Sequence, residues 1–217
     1  MTSSQLFEML KGVQMTVALT VLSILFGIIF ALLLAFMRMG KKKLTKGISW
    51  TYVWIVRGTP LYLQIIIVHF MIPIIYKSIT GNTIRFNMFV SGVVSLTLNT
   101  SAYVSEIIRA AIESIDKGQM EAAQALGMSR GTAMFKVIIP QSIKRIIPPF
   151  ANEFTMILKD SSLVATIGFT ELSKVARSYA ASGNYWFLFY AAGIYLILTT
   201  LSSVLFDKIE KYAGRYE

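Results

Sequence analysis

The sequence predicts an all-α membrane protein with about five transmembrane helices, and three observations predict it. Hydrophobic residues make up 55% of the 217-residue chain and charged residues only 15%, where a soluble domain carries about a quarter charged residues. Long apolar stretches recur, two of them without any charge, and the mean hydropathy is +0.62. The Lys and Arg residues gather in short segments between those stretches, as they do in cytoplasmic loops.

A spanning helix needs about 20 mostly apolar residues, because the hydrocarbon core is about 30 Å thick and each residue rises 1.5 Å. The first candidate, Val13 to Met37, carries no charge. It is longer than the apolar part of a secretory signal and runs into Arg38, so it is expected to be retained as a span. The second, Ile48 to Tyr76, is interrupted by Arg57-Gly58-Thr59-Pro60. The third runs from about Phe86 to Ile108, with Glu106 near its end. The fourth, roughly Ile143 to Leu163, is the most polar because it contains Glu153, Lys159 and Asp160. The fifth, Trp186 to Phe206, is again free of charge.

Orientation follows from the basic residues. Arg38, Lys41, Lys42, Lys43 and Lys46 follow the first span, and Arg109, Lys117, Arg130, Lys136, Lys144 and Arg145 follow the third. Lys208, Lys211 and Arg215 follow the fifth. Five spans put all three groups on one side, which places the N-terminus outside and the C-terminus inside. The net charge of +10 is thereby accounted for by membrane topology, and no nucleic-acid partner is expected. No cysteine is present, and His69 is the one histidine; disulfides, thiolate ligation and a histidine metal site within one chain are excluded.

The loop between the third and fourth spans is the most informative segment. Met120, Ala123 and Leu126 fall at helical spacing before Gly127, which suits a left-handed helix end. Ser129 can cap a second short helix, and Pro140 is expected to stop it. The spacing thus predicts a helical elbow at the membrane surface. Its small and apolar face suits a partner's groove, or equally an interfacial pair of helices without a partner.

Glu121-Ala122-Ala123, Gly127 and Ile139-Pro140 resemble the EAA loop of ABC importer permeases, with Val137 and Ile139 where the family usually has Ile and Leu. Arg57-Gly58-Thr59-Pro60-Leu61 is similar to the family's RGTP segment, and Lys159-Asp160-Ser161-Ser162-Leu163 to its KDSSL stretch. Glu106-Ile107-Ile108-Arg109-Ala110, Ser114-Ile115 and Lys117-Gly118-Gln119 also match, so the resemblance to the polar amino-acid uptake permeases runs along nearly the whole chain in order. It implies a single permease domain over residues 1–217 with type I importer architecture, in a bacterial cytoplasmic (inner) membrane. The loop at about 113–142 would be the coupling loop that docks in a separate nucleotide-binding subunit. Glu121, Ala122, Ala123, Gly127 and Pro140 would form the docking elbow, Gly127 by permitting the turn and Glu121 by polar contact.

No G-x-x-x-x-G-K-[ST] phosphate loop occurs in the chain, so the chain itself is not expected to be an enzyme. ATP and Mg would be bound by the partner ATPase. The resemblance further implies a second permease copy or a paralogue, a homodimer being preferred, and an external substrate-binding protein. The segment Gly168 to Asn184 would lie outside, as a docking surface for that protein or as a scoop helix closing the outer mouth.

Ionisable residues within a span face a cavity or the bundle interior by default. Glu153 and Asp160, seven residues apart, fall on one helical face about two turns apart, with Met156 and Ile157 between them and Asn152 and Lys159 alongside. Two such carboxylates would suit a cationic amino acid; glutamine or glutamate is the alternative. Gln64 and Asn99 are further candidate substrate contacts, while His69 suits an interhelical hydrogen bond and Arg57 a structural role at the helix break. An ATP-independent transporter would leave the elbow unexplained, and a membrane enzyme would need a catalytic constellation that the spans lack.

Overall fold

A computed structural model describes residues 2–40 and 42–214; Lys41 and Arg215, counted above among the cytoplasmic charges, lie outside them. Among the described residues every regular element is helical. The first helix, α1 (Ser3–Met39), opens with a capping box in which Thr2 and Gln5 satisfy each other's backbone N–H groups. It is followed by α2 (Lys43–Gly58), α3 (Leu61–Ile66) and α4 (Ile72–Thr80), with a π-helical turn at Ile67–Met71 joining the last two. Next come α5 (Met88–Glu113), α6 (Lys117–Ala125) and α7 (Arg130–Ala133). A second π-helical turn, Met134–Ile138, leads directly into α8 (Ile139–Asp160). A 3-10 segment at Ser161–Ile167, α9 (Leu172–Ala181) and α10 (Trp186–Gly214) complete the order.

Among the described residues three helical runs are long and apolar enough to cross a membrane: Ser3–Met39, Leu61–Thr80 and Trp186–Ala213. At 26 and 22 residues, α5 and α8 have the length but are more polar. Of the two, α5 is the helix that the others cover, with Ser95, Asn99, Thr100 and Ser101 among its buried residues, which is where polar residues in a membrane bundle belong.

Small residues let the helices approach closely, the usual basis of packing where lipid supplies no hydrophobic drive. A Cβ on Gly27 of α1 would stand 2.7 Å from Thr100 Cγ2 of α5, and one on Gly92 of α5 would stand 2.6 Å from Val164 Cγ1. Ala31 and Ala35 of α1 pack with Val104 and Ile108 of α5, and Leu19, Ile65, Leu96, Val164 and Ile167 form a second cluster. The opposite face of α1 leaves Leu25, Ile29 and Leu33 exposed, as a lipid-facing surface requires.

Two sequence expectations are corrected. Pro140 does not end a helix; it stands in the first turn of α8, immediately after the π-helical turn, and the chain stays helical from Arg130 to Asp160. The wider turn bonds Ile139 N–H to the Met134 carbonyl and so relieves the clash a proline makes in an α-helix. Pro73 follows the other π-helical turn in the same way. The fourth long helix accordingly begins at Ile139 rather than at Ile143. Phe187 of α10 is buried and stacked on Tyr179 at 4.2 Å.

Candidate functional site

The elbow forms as its residues dictate. Asp116 caps α6 by accepting from Gly118 N–H at 2.7 Å, and Ser129 caps α7 by accepting from Thr132 N–H at 3.2 Å. Between them Gly127 adopts φ +82°, a left-handed conformation, and the Met128 N–H reaches back to the Ala123 carbonyl at 3.1 Å. Ala123 is buried inside the elbow, whereas Glu121, Ala122, Gly127 and Pro140 are exposed. Leu126, at 82% exposure, and Phe135, at 66%, stand out from its surface. The elbow is tied to α8: Arg145 donates to the Ser114 hydroxyl at 2.8 Å, and Gln141 donates to Gln119 at 3.3 Å.

Above the elbow, charges join the ends of α1 and α5. Arg38 pairs with Glu106 at 3.0 Å, and Arg109 pairs with both Glu106 and Glu113. Arg57, at the end of α2, stands 5.1 Å over the Tyr103 ring. A cleft of about 320 Å³ lined by Arg38, Trp50, Val53, Trp54, Arg57 and Gly58 lies beside the helix break.

The α8 candidates divide between two faces. Asn152, Met156 and Lys159 are exposed and form a stripe at helical spacing, while Glu153 is buried and Asp160 half-buried. Glu153 therefore turns into the bundle, within electrostatic reach of Asp160 and Arg57. A polar stripe on a helix in a membrane bundle calls for a cavity or a partner rather than lipid.

Gln64 and Asn99 come together at the helix break. The Gln64 side-chain amide donates to the Val56 carbonyl at 2.7 Å and to the Thr59 carbonyl at 3.1 Å, and Asn99 donates to Gln64 Oε1 at 3.3 Å. His69 makes the interhelical bond its sequence position suggests, Nδ1 lying 2.8 Å from Ser91 Oγ on α5.

Sequence reasoning passed over Glu171. It is wholly buried and caps α9, accepting from Ser173 N–H at 2.9 Å and Lys174 N–H at 2.8 Å. It also accepts from Tyr195 Oη at 2.9 Å and Thr16 Oγ1 at 3.4 Å, joining α1, α9 and α10. The acidic residue just before an amphipathic helix was the available signal.

The family model described as "Binding-protein-dependent transport system inner membrane component" matches residues 6–211. The chain is 37% identical to an arginine transport system permease protein of Corynebacterium glutamicum over 91% of its own length, and spans 65% of that relative. It is 36% identical to a putative glutamine transport system permease protein of Rickettsia felis, covering 93% of this chain and 90% of the relative. A crystal structure of an amino acid ABC transporter with histidines superposes with a TM-score of 0.85 at 37% identity, covering 94% of each chain.

Proposed function

From the premise that the chain belongs to the binding-protein-dependent transport system inner membrane component family, as the permease subunit of an amino-acid ABC importer, we propose that its substrate is a cationic amino acid. The observation that carries this is the pairing of Glu153 and Asp160 on α8 beside the open stripe of Asn152 and Met156. Two carboxylates that share one helix attract a guanidinium, ammonium or imidazolium group, and the low dielectric of a bundle strengthens that attraction. Lys159 at the same helix end pairs with an α-carboxylate. The arginine permease among the relatives supports this choice; the glutamine permease supports the second reading, a polar neutral substrate.

ATP and Mg belong to a separate ATPase subunit, and an external substrate-binding protein delivers the cargo, as this importer class implies. The elbow, with Glu121, Ala122, Ala123, Gly127 and Pro140, docks in the ATPase; the exposed Leu126 and Phe135 supply the apolar part of that contact. A second copy of the chain closes the path, because the stripe on α8 stands uncovered among the described residues. With the N-terminus outside and the C-terminus inside, the basic residues Lys42, Lys43, Lys46 and Arg130 lie on the cytoplasmic side of a bacterial inner membrane. Gln64 and Asn99, engaged with each other and with the break, form the wall of the path rather than the contact surface.

The test is uptake of labelled arginine, histidine, glutamine and glutamate by proteoliposomes holding this chain with its copurifying ATPase and binding protein. ATP-dependent accumulation of arginine and histidine alone is the expected result. Accumulation of glutamine or glutamate instead discards the cationic assignment, and uptake without ATP in an assembled complex discards the importer.

A further inference from the structure

The break between α2 and α3 is held by side chains rather than by backbone. Thr59 and Pro60 are extended, with φ −120°, ψ 145° and φ −62°, ψ 132°, so the last carbonyls of α2 lose their helical partners. Thr59 Oγ1 donates to the Ile55 carbonyl at 2.9 Å. Gln64, one turn into the next helix, covers much of the rest. Helical side chains tilt toward the N-terminus, which carries its amide back over the break to the Val56 carbonyl, the Thr59 carbonyl and Thr59 Oγ1 at 2.7, 3.1 and 3.0 Å. Its remaining oxygen accepts from Asn99, a buried residue of α5. The amide's orientation is fixed by this set: three acceptors face the nitrogen and one donor faces the oxygen.

We propose that Gln64 is a positioning residue for transport, coupling the unwound segment to α5 so that the break and Arg57 move with that helix instead of flexing alone. Arg57 is the residue whose place depends on it, since it ends α2, stands over Tyr103 of α5 and lies within electrostatic reach of both Glu106 and Glu153. A break left to side-chain bonds is adjustable, and each bond of this kind is worth only about 1 kcal/mol. Tethering it to α5, which continues to the elbow through Ser114, ties the geometry of the path to the cytoplasmic end of the bundle. The transport readout below rests on the importer function proposed above; the exchange readout does not.

The test compares wild type, Gln64→Met and Asn99→Ala in the complete importer in nanodiscs, by hydrogen exchange and by uptake. Gln64→Met keeps length and loses both halves of the bracket, while Asn99→Ala loses only the tether to α5. Exchange in residues 57–66 rises about tenfold in Gln64→Met and less in Asn99→Ala, with α8 and α10 unchanged. Amino acid transported per ATP hydrolysed falls in the same order for correctly assembled complex. Unchanged exchange at the break in both variants overturns the proposal. So does a uniform rise across all helices with unaltered transport per ATP, which marks a purely structural residue. A wild-type importer that carries a substrate other than arginine alters the cargo assignment and leaves the exchange result standing.

Discussion

Glu171 and Tyr195 meet through a 2.9 Å hydrogen bond in a cap whose carboxylate is wholly buried and which also takes in the backbone of Ser173 and Lys174. A carboxylate removed from water is tolerated only when its oxygens are filled, and here backbone, tyrosine and threonine donors fill them. Replacement by Ala strips α9 of its cap and leaves buried donors unpaired. Glu171→Ala should lose about 3 kcal/mol and Tyr195→Phe about 1 kcal/mol, read as lowered unfolding midpoints of the purified chain. Equal midpoints for both variants and wild type would show that the cap contributes nothing.

The proposed substrate assignment predicts a charge-selective effect. Glu153→Gln and Asp160→Asn should each reduce arginine uptake about tenfold, the equivalent of roughly 1.4 kcal/mol of lost interaction, while any glutamine uptake is unaffected. Competition assays with unlabelled amino acids would read this directly; loss of both activities together would make the carboxylates structural.

At the elbow, Gly127 is needed for its backbone and not for space, since a Cβ there meets nothing within 4 Å and φ is +82°. Gly127→Ala should therefore cost about 1 kcal/mol locally and weaken ATPase docking modestly. Leu126→Asp should abolish copurification of the ATPase while membrane insertion is normal. Pull-down from solubilised membranes checks both, and retention of the ATPase by Leu126→Asp would argue against the docking face.

Helix approach sets the fourth expectation. Gly27→Ala forces a methyl against Thr100 Cγ2, at about 1–3 kcal/mol. Thr100→Ser removes that methyl, so the double variant should recover part of the loss, a coupling measurable by thermal unfolding of the four proteins.

Much of this bundle was legible in local pattern. Charge-free runs marked α1 and α10, Thr59-Pro60 marked the break, and Gly127 and Ser129 marked the elbow's turn and second cap, because each acts over a few residues. What escaped depends on distant partners or on helix phase. Glu171 lies in the segment Gly168 to Asn184, which was expected to lie outside, and nothing local pointed to Thr16, 155 residues away in sequence. The inward turn of Glu153, one position from the exposed Asn152, is decided by what packs against α8. Pro140 carried a stop signal that the preceding π-helical turn cancels, and no propensity announces that turn.

That π-helical turn also fixes an angular relation. From Arg130 to Asp160 the chain is one helical shaft, with the elbow at one end and the Asn152–Lys159 stripe further along. Removing one residue from Met134–Ile138 would rotate the stripe against the elbow by about 100°. The two ends are therefore keyed like a crank and its cam, and Pro148 and Pro149, inside α8 between them, are where the shaft gives up helical bonds and can bend.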